Sequence, residues 1–116
     1  MFVRSLALAS ATVLALGGLA AGGATAATRT TTVKVTAKDF SFALSRKSVP
    51  HGRVTFTIKN AGHAEHDFVI AGHSSKTIAA GKSTSITVML KRGRYPYRCS
   101  VDGHADLGMH GVLKVT

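Results

Sequence analysis

Cys99, His104 and Met109 stand along one short segment of this 116-residue chain in the order C-x4-H-x4-M, and Cys99 is its only cysteine. A thiolate, imidazoles and a weak thioether together make the ligand set of a copper ion that changes oxidation state. Such a set needs a second histidine from elsewhere. His66, in Asn60-Ala61-Gly62-His63-Ala64-Glu65-His66-Asp67-Phe68, is placed to supply it, with His63 the competitor in a more polar turn. Zinc suits the set less well, because methionine is not a ligand it favours. A thiolate-bridged binuclear copper centre would need a second cysteine. Four donors also leave no open position for a substrate, which argues against an oxidase or hydrolase and for a protein that is not an enzyme.

Each donor has a plainer reading. A lone cysteine is often a small buried hydrophobe, and a lone methionine is often core filler. A loop histidine is usually solvated. The flanks of His104 (Gly103, Ala105, Leu107, Gly108) are small or apolar, as a tightly wound loop with a flat rim requires. Met109 precedes His110-Gly111, where the last apolar alternation begins. Asp67, beside His66, is positioned to offer its backbone N–H to the cysteine sulfur. His51, His63, His73 and His110 read as turn or surface residues.

The elements that must position these donors are strands. Val33, Val35 and Ala37 alternate with polar residues, as do Val54, Phe56 and Ile58, and Ile86, Val88 and Leu90. That period of two marks half-buried strands. Shorter strands are expected at Phe40–Leu44, His66–Ala71, Tyr95–Cys99 and Gly111–Thr116. Turn residues separate them at Pro50-His51-Gly52, Asn60-Ala61-Gly62, Ala80-Gly81-Lys82 and Arg92-Gly93-Arg94. No segment keeps a helical period. The expected fold is therefore all-β: an antiparallel Greek-key sandwich or barrel of seven to eight strands. Parity places Cys99 with Tyr95 and Tyr97 on the inward face, and His66 with Phe68 and Ile70.

The first 26 residues read as a secretory signal peptide: a short basic start with Arg4, an apolar run over Ser5–Ala21, and a small-x-small site at Ala24-Thr25-Ala26. Residues 27–116 then form one copper-binding domain, exported to the periplasm or cell exterior and not membrane-spanning in its mature form. A domain of this size buries only about two-thirds of its unfolded surface. Small exported domains often use disulfides, which a single cysteine cannot form internally. An unpaired exported thiol is also an oxidation hazard, and metal ligation removes it. The formal charge is +10 for the whole chain. Without Arg4 it is 14 Lys+Arg against 5 Asp+Glu, or +9.

These motifs, Asn60…His66-Asp67-Phe68 and Tyr97-x-Cys99-x4-His104-x4-Met109-x-Gly111, resemble those of the cupredoxin family of small blue copper proteins. The resemblance spans the mature domain and implies an eight-stranded Greek-key sandwich. It also implies copper held at one pole by His66, Cys99, His104 and Met109. The Cys–His gap is longer than in plastocyanin-type loops, and the basic surface differs from acidic plastocyanins. The expected function is one-electron transfer between Cu(I) and Cu(II) for redox partner proteins with an acidic docking surface, carried out by a monomer. The alternative is a copper-binding protein that buffers copper or delivers it to an oxidase. A metal-free adhesion sandwich is a third reading. Nucleic acid is not an expected partner, because the basic residues are scattered and aromatics are few.

Overall fold

The computed structural model describes residues 29–116, and the leader read over residues 1–26 lies outside them. Nine strands are described: β1 (Thr30–Lys38), β2 (Ser41–Leu44), β3 (Ser48–Val49), β4 (Gly52–Asn60), β5 (Val69–Ile70), β6 (His73–Ser74), β7 (Ser83–Leu90), β8 (Gly93–Arg98) and β9 (His110–Val115). They form two sheets, ordered β2-β1-β4-β7 and β3-β9-β8-β5-β6. Among the described residues there is no helix. The all-β sandwich expected from the sequence is the fold, with two-residue strands β3 and β6 raising the count.

The alternation that marked the strands also packs them. Val33, Val35 and Ala37 of β1 lie beside Val54, Phe56 and Ile58 of β4 on the buried face of one sheet, while Lys34 and Lys38 stay in solvent. From β7 come Val88 and Leu90; β8 gives Tyr97, and β9 gives Leu113 and Val115. Phe68 sits at the centre of an aromatic cluster. Its ring centroid is 5.2 Å from Phe56, 5.4 Å from Phe42 and 5.4 Å from Tyr97.

Two pairings are parallel rather than antiparallel: β1 with β4, and β3 with β9. Parallel neighbours need a crossover between them. Here the chain leaves β1 through β2, enters the opposite sheet at β3, and returns to pair β4 beside β1.

The segment His66–Ala71 departs from its expected form. Only Val69–Ile70 joins a ladder, and His66 makes a single bridge to Ile78. His66, Asp67 and Phe68 are buried one after another. A strand that alternates faces cannot bury three neighbours on one side. The chain is held there by the single backbone bridge to Ile78 and by side-chain hydrogen bonds instead of a sheet ladder.

At the other end of the ligand segment the register is firm. Tyr97 pairs with Gly111 and Arg98 with His110. The Tyr97 ring lies over Gly111, where a Cβ would overlap its hydroxyl end. Truncating the central ring, Phe68→Ala, is expected to cost about 3–5 kcal/mol, the range for emptying an aromatic core site. Met89→Ser, at a position 62% exposed, should stay within about 0.5 kcal/mol. Urea midpoints at constant m-value check both.

Candidate metal centre

The loop between β8 and β9 is closed by backbone hydrogen bonds. Cys99 N–H donates to Met109 O at 3.0 Å, which extends the hairpin ladder by one rung beyond Arg98 and His110. Inside the loop His104 N–H donates to Val101 O (3.0 Å), Leu107 N–H to His104 O (3.1 Å) and Gly108 N–H to Ala105 O (3.0 Å). Met109 N–H also reaches His104 O at 3.2 Å. These turns wind the loop so that His104 folds back over Cys99. Gly108 takes φ +124, and a Cβ there would press on the Phe40 carbonyl at 3.0 Å.

Three of the four donors expected from the sequence come together. One donor atom each from His66, Cys99 and His104 lies within 4.8 Å of the others. His66 Nδ1 is 3.2 Å from His104 Nδ1, and Cys99 Sγ is 3.8 Å from His104 Nδ1. Both imidazoles present the same ring nitrogen to the thiol. His66 and Cys99 are buried and His104 is half-buried. Met109 is fully buried in the core cluster, with its backbone tied to both Cys99 and His104. His63 is not part of this cluster; its side chain is 95% exposed, with Nδ1 3.6 Å from an Asp39 oxygen. His51, His73 and His110 are exposed.

A polar frame fixes His66. The fully buried Asn60 donates from Nδ2 to Ala64 O (2.8 Å) and Ile78 O (2.7 Å), and its Oδ1 accepts from Gly62 N–H at 2.9 Å. His66 exchanges backbone hydrogen bonds with Ile78 at 3.2 and 2.7 Å. Asp67 ties this segment to the residue after the cysteine. Its carboxylate accepts Ser100 N–H at 2.6 Å and the Ser100 hydroxyl.

Asp39 and Phe40, in the turn between β1 and β2, were not read from the sequence as site residues. The Asp39 carboxylate accepts from His66 Nε2 at 2.8 Å, and also from the N–H groups of His63 and Ala64. Those two N–H groups, with the His66 ring, hold its pKa down at about 2 from 3.8. Phe40 takes φ 102, a left-handed conformation a bulky residue rarely adopts. Its ring makes T-shaped contacts with both imidazoles, with centroids 5.1 Å from His104 and 6.5 Å from His66. The break in alternation after Lys38 signals a turn, but nothing local to it points to residues 27 and 64 positions on.

Burial pushes the Cys99 thiol above its ordinary pKa, while N–H groups of Asp67 and Val101 act in the opposite sense and favour thiolate. A soft sulfur and two imidazole nitrogens, converging with two of the three residues buried, are a donor group that could hold a borderline or soft metal ion.

A profile of the Cupredoxin-like domain matches residues 6–115, and the chain belongs to that family. Among solved structures it is similar to auracyanin B, with 23% identity and a TM-score of 0.68 over 77% of this chain and 90% of that one. Reduced rusticyanin is 24% identical, with a TM-score of 0.66 over 75% of this chain and 79% of that one. Auracyanin A, a "blue" copper protein from the green thermophilic photosynthetic bacterium Chloroflexus aurantiacus, is 17% identical. Its TM-score is 0.64, over 76% of this chain and 100% of that one. No curated protein sequence matches the chain. These structural likenesses establish the sandwich and its topology.

Asn60→Ala should cost about 1–3 kcal/mol, because the groups it satisfies lose a buried partner. Metal affinity should fall in the same variant, since the His66 turn is no longer held. Chemical unfolding and competitive chelator titration measure the two effects separately.

Proposed function

We propose that the domain would hold one copper ion through His66 Nδ1, Cys99 Sγ and His104 Nδ1, with the Met109 thioether as a weak fourth donor. We further propose that it carries single electrons between partner proteins. The convergence of a lone buried thiol with two imidazole nitrogens carries this reading. Copper is favoured over zinc by the sulfur-rich set and by the fully buried methionine bonded through its backbone to two of the donors. The blue copper protein among its structural neighbours supports the same choice.

When bound, copper supplies a one-electron Cu(II)/Cu(I) couple. The chain supplies everything that keeps the exchange fast. The closed loop and the Asn60 frame hold three donors nearly fixed, so little rearrangement accompanies a change of charge. Burial of His66, Cys99 and Met109 excludes water. Half-buried His104 lies beside Phe40 in the loop that carries exposed Leu107, and is the route by which electrons enter and leave. With four donors there is no open position for a substrate, which sets a carrier apart from an oxidase. The apolar run over residues 5–21 makes this an exported protein, whose mature domain starts near residue 27. No helix among the described residues is long and apolar enough to cross a membrane.

Charge shapes the encounter. All five carboxylates (Asp39, Glu65, Asp67, Asp102 and Asp106) fall in the turns and loops around the site, and the strands carry only cations. Lys38 and Arg98 end strands that lead into those loops, and Lys59 is the penultimate residue of β4. The net charge favours a partner with an acidic docking surface, contacted through these flanking cations, and salt should weaken the attraction.

Copper-loaded protein should show intense thiolate-to-copper absorption that Cys99→Ser abolishes. A colourless loaded protein with a freely reactive thiol would refute the site, and ready surrender of copper to an apo-acceptor would favour delivery over electron transfer. Reduced protein should react faster with an anionic inorganic oxidant than with a cationic one of similar potential. Added salt should narrow that gap. The opposite order would assign the encounter to the acidic loops and replace the acidic partner with a basic one.

A further inference from the structure

Among the described residues, Asp39 is the one carboxylate hydrogen-bonded to a ring of the cluster. The rings of His66 and His104 face each other through Nδ1, so the other nitrogen of His66 is free to point away from the thiol. It points at Asp39 Oδ1, 2.8 Å away. The carboxylate is itself locked. Its oxygens accept N–H groups of His63 at 2.8 and 3.1 Å and of Ala64 at 3.1 Å, so it cannot swing away without releasing that turn. Gly62 makes room for it, since a Cβ at that position would occupy the space of Asp39 Oδ1.

We propose that Asp39 is a positioning residue of this site, a fixed anion that holds His66 as the Nε2–H tautomer with its Nδ1 lone pair turned toward Cys99 and His104. The redox half of this proposal rests on the copper reading above. A carboxylate that accepts the outer N–H of a ligating imidazole fixes its ring orientation and raises its basicity. A more basic nitrogen favours the higher oxidation state of a bound metal. Asp39 therefore lowers the reduction potential relative to what a neutral acceptor at the same place would give. Glu65, one residue from His66 but exposed and without a side-chain hydrogen bond among those described, separates this effect from simple proximity of negative charge.

The test begins without metal. Ring 15N shifts of the apo-protein at neutral pH should show His66 protonated at Nε2 and bare at Nδ1. A bare Nε2 would overturn the positioning role outright, and this measurement needs no variant to fold. In the copper-loaded protein, Asp39→Asn keeps the shape and removes the charge. It should weaken Cu(II) binding about tenfold more than Cu(I) binding, the lower end of what outer partners of metal ligands contribute. For a one-electron couple that ratio is an upward shift of about 59 mV. Glu65→Gln should leave the potential near that of the unaltered protein. Equal shifts in the two variants, or none in Asp39→Asn, would overturn the redox half. Should the unaltered protein take up no copper, the copper reading fails and the redox half with it, while the apo 15N shifts still decide the positioning half.

Discussion

The site depends on the rung that joins Cys99 to Met109. Once β8 and β9 pair with Tyr97 opposite Gly111, the next inward positions past the ladder are those two residues, and a 3.0 Å hydrogen bond ties them together. Side chains along a strand alternate faces, so a slip of one residue would turn Cys99 outward and Arg98 into the core. The cost of burying that unpaired arginine would be several kcal/mol. The register is therefore protected by the charges on the outer face as much as by the apolar residues within. With the two sulfur-bearing residues pinned, the nine residues between them have a short span to bridge. Hydrogen-bonded turns fold His104 back onto the thiol, with Val101 packed against the core and the Phe40 ring beside the imidazole.

The upstream half of the site is built differently. His66 is placed by polar side chains drawn from three separate parts of the chain: Asn60 below it, Asp39 across from it, and Asp67 reaching to Ser100. Buried polar groups are costly when unpaired, and none of the buried side-chain nitrogens or oxygens described lacks a partner. Such a network favours one arrangement over near alternatives, because any shift strands a donor or acceptor. It also joins the two sheets at the end where the donors meet. Asp39 belongs to the turn of the first sheet, and Ser100 follows a strand of the second.

How much of this was legible in the sequence follows from the same division. Alternation located β1, β4 and β7 because each buries one face, and it set Cys99 inward because Pro96 and Arg98 could only lie outside. The C-x4-H-x4-M spacing is local, so its donors could be read together. His66 was legible by type and by its Asp67-Phe68 sequel, but its segment was not a regular strand, since it has one isolated backbone bridge and otherwise side-chain partners with no periodicity. Asp39 and Phe40 were illegible for a related reason. A carboxylate and an aromatic ring after Lys38 look like any hairpin corner. Their meaning comes only from the fold bringing residue 39 to residue 66, a pairing that no local pattern encodes. The two parallel pairings escaped notice likewise, because hydrophobic period reports which face is buried and not which way the neighbour runs.

The polar frame also bears on stability in a domain with one cysteine. Without an internal disulfide, the loops at the site's pole have to be ordered by other means. The hydrogen bonds that order them run through protein atoms: Cys99 to Met109, Asp67 to Ser100, Asn60 to Ala64 and Ile78, and Asp39 to His63 and Ala64. None passes through a donor atom facing the thiol. Ordering the loops and offering the donors are thus separate tasks, done by different atoms of the same residues. His66 shows the division within one ring, with Nε2 committed to Asp39 and Nδ1 left for the cluster. A site assembled this way presents its donors in nearly the same places whatever charge they hold between them, which is the condition that rapid exchange of a single electron imposes.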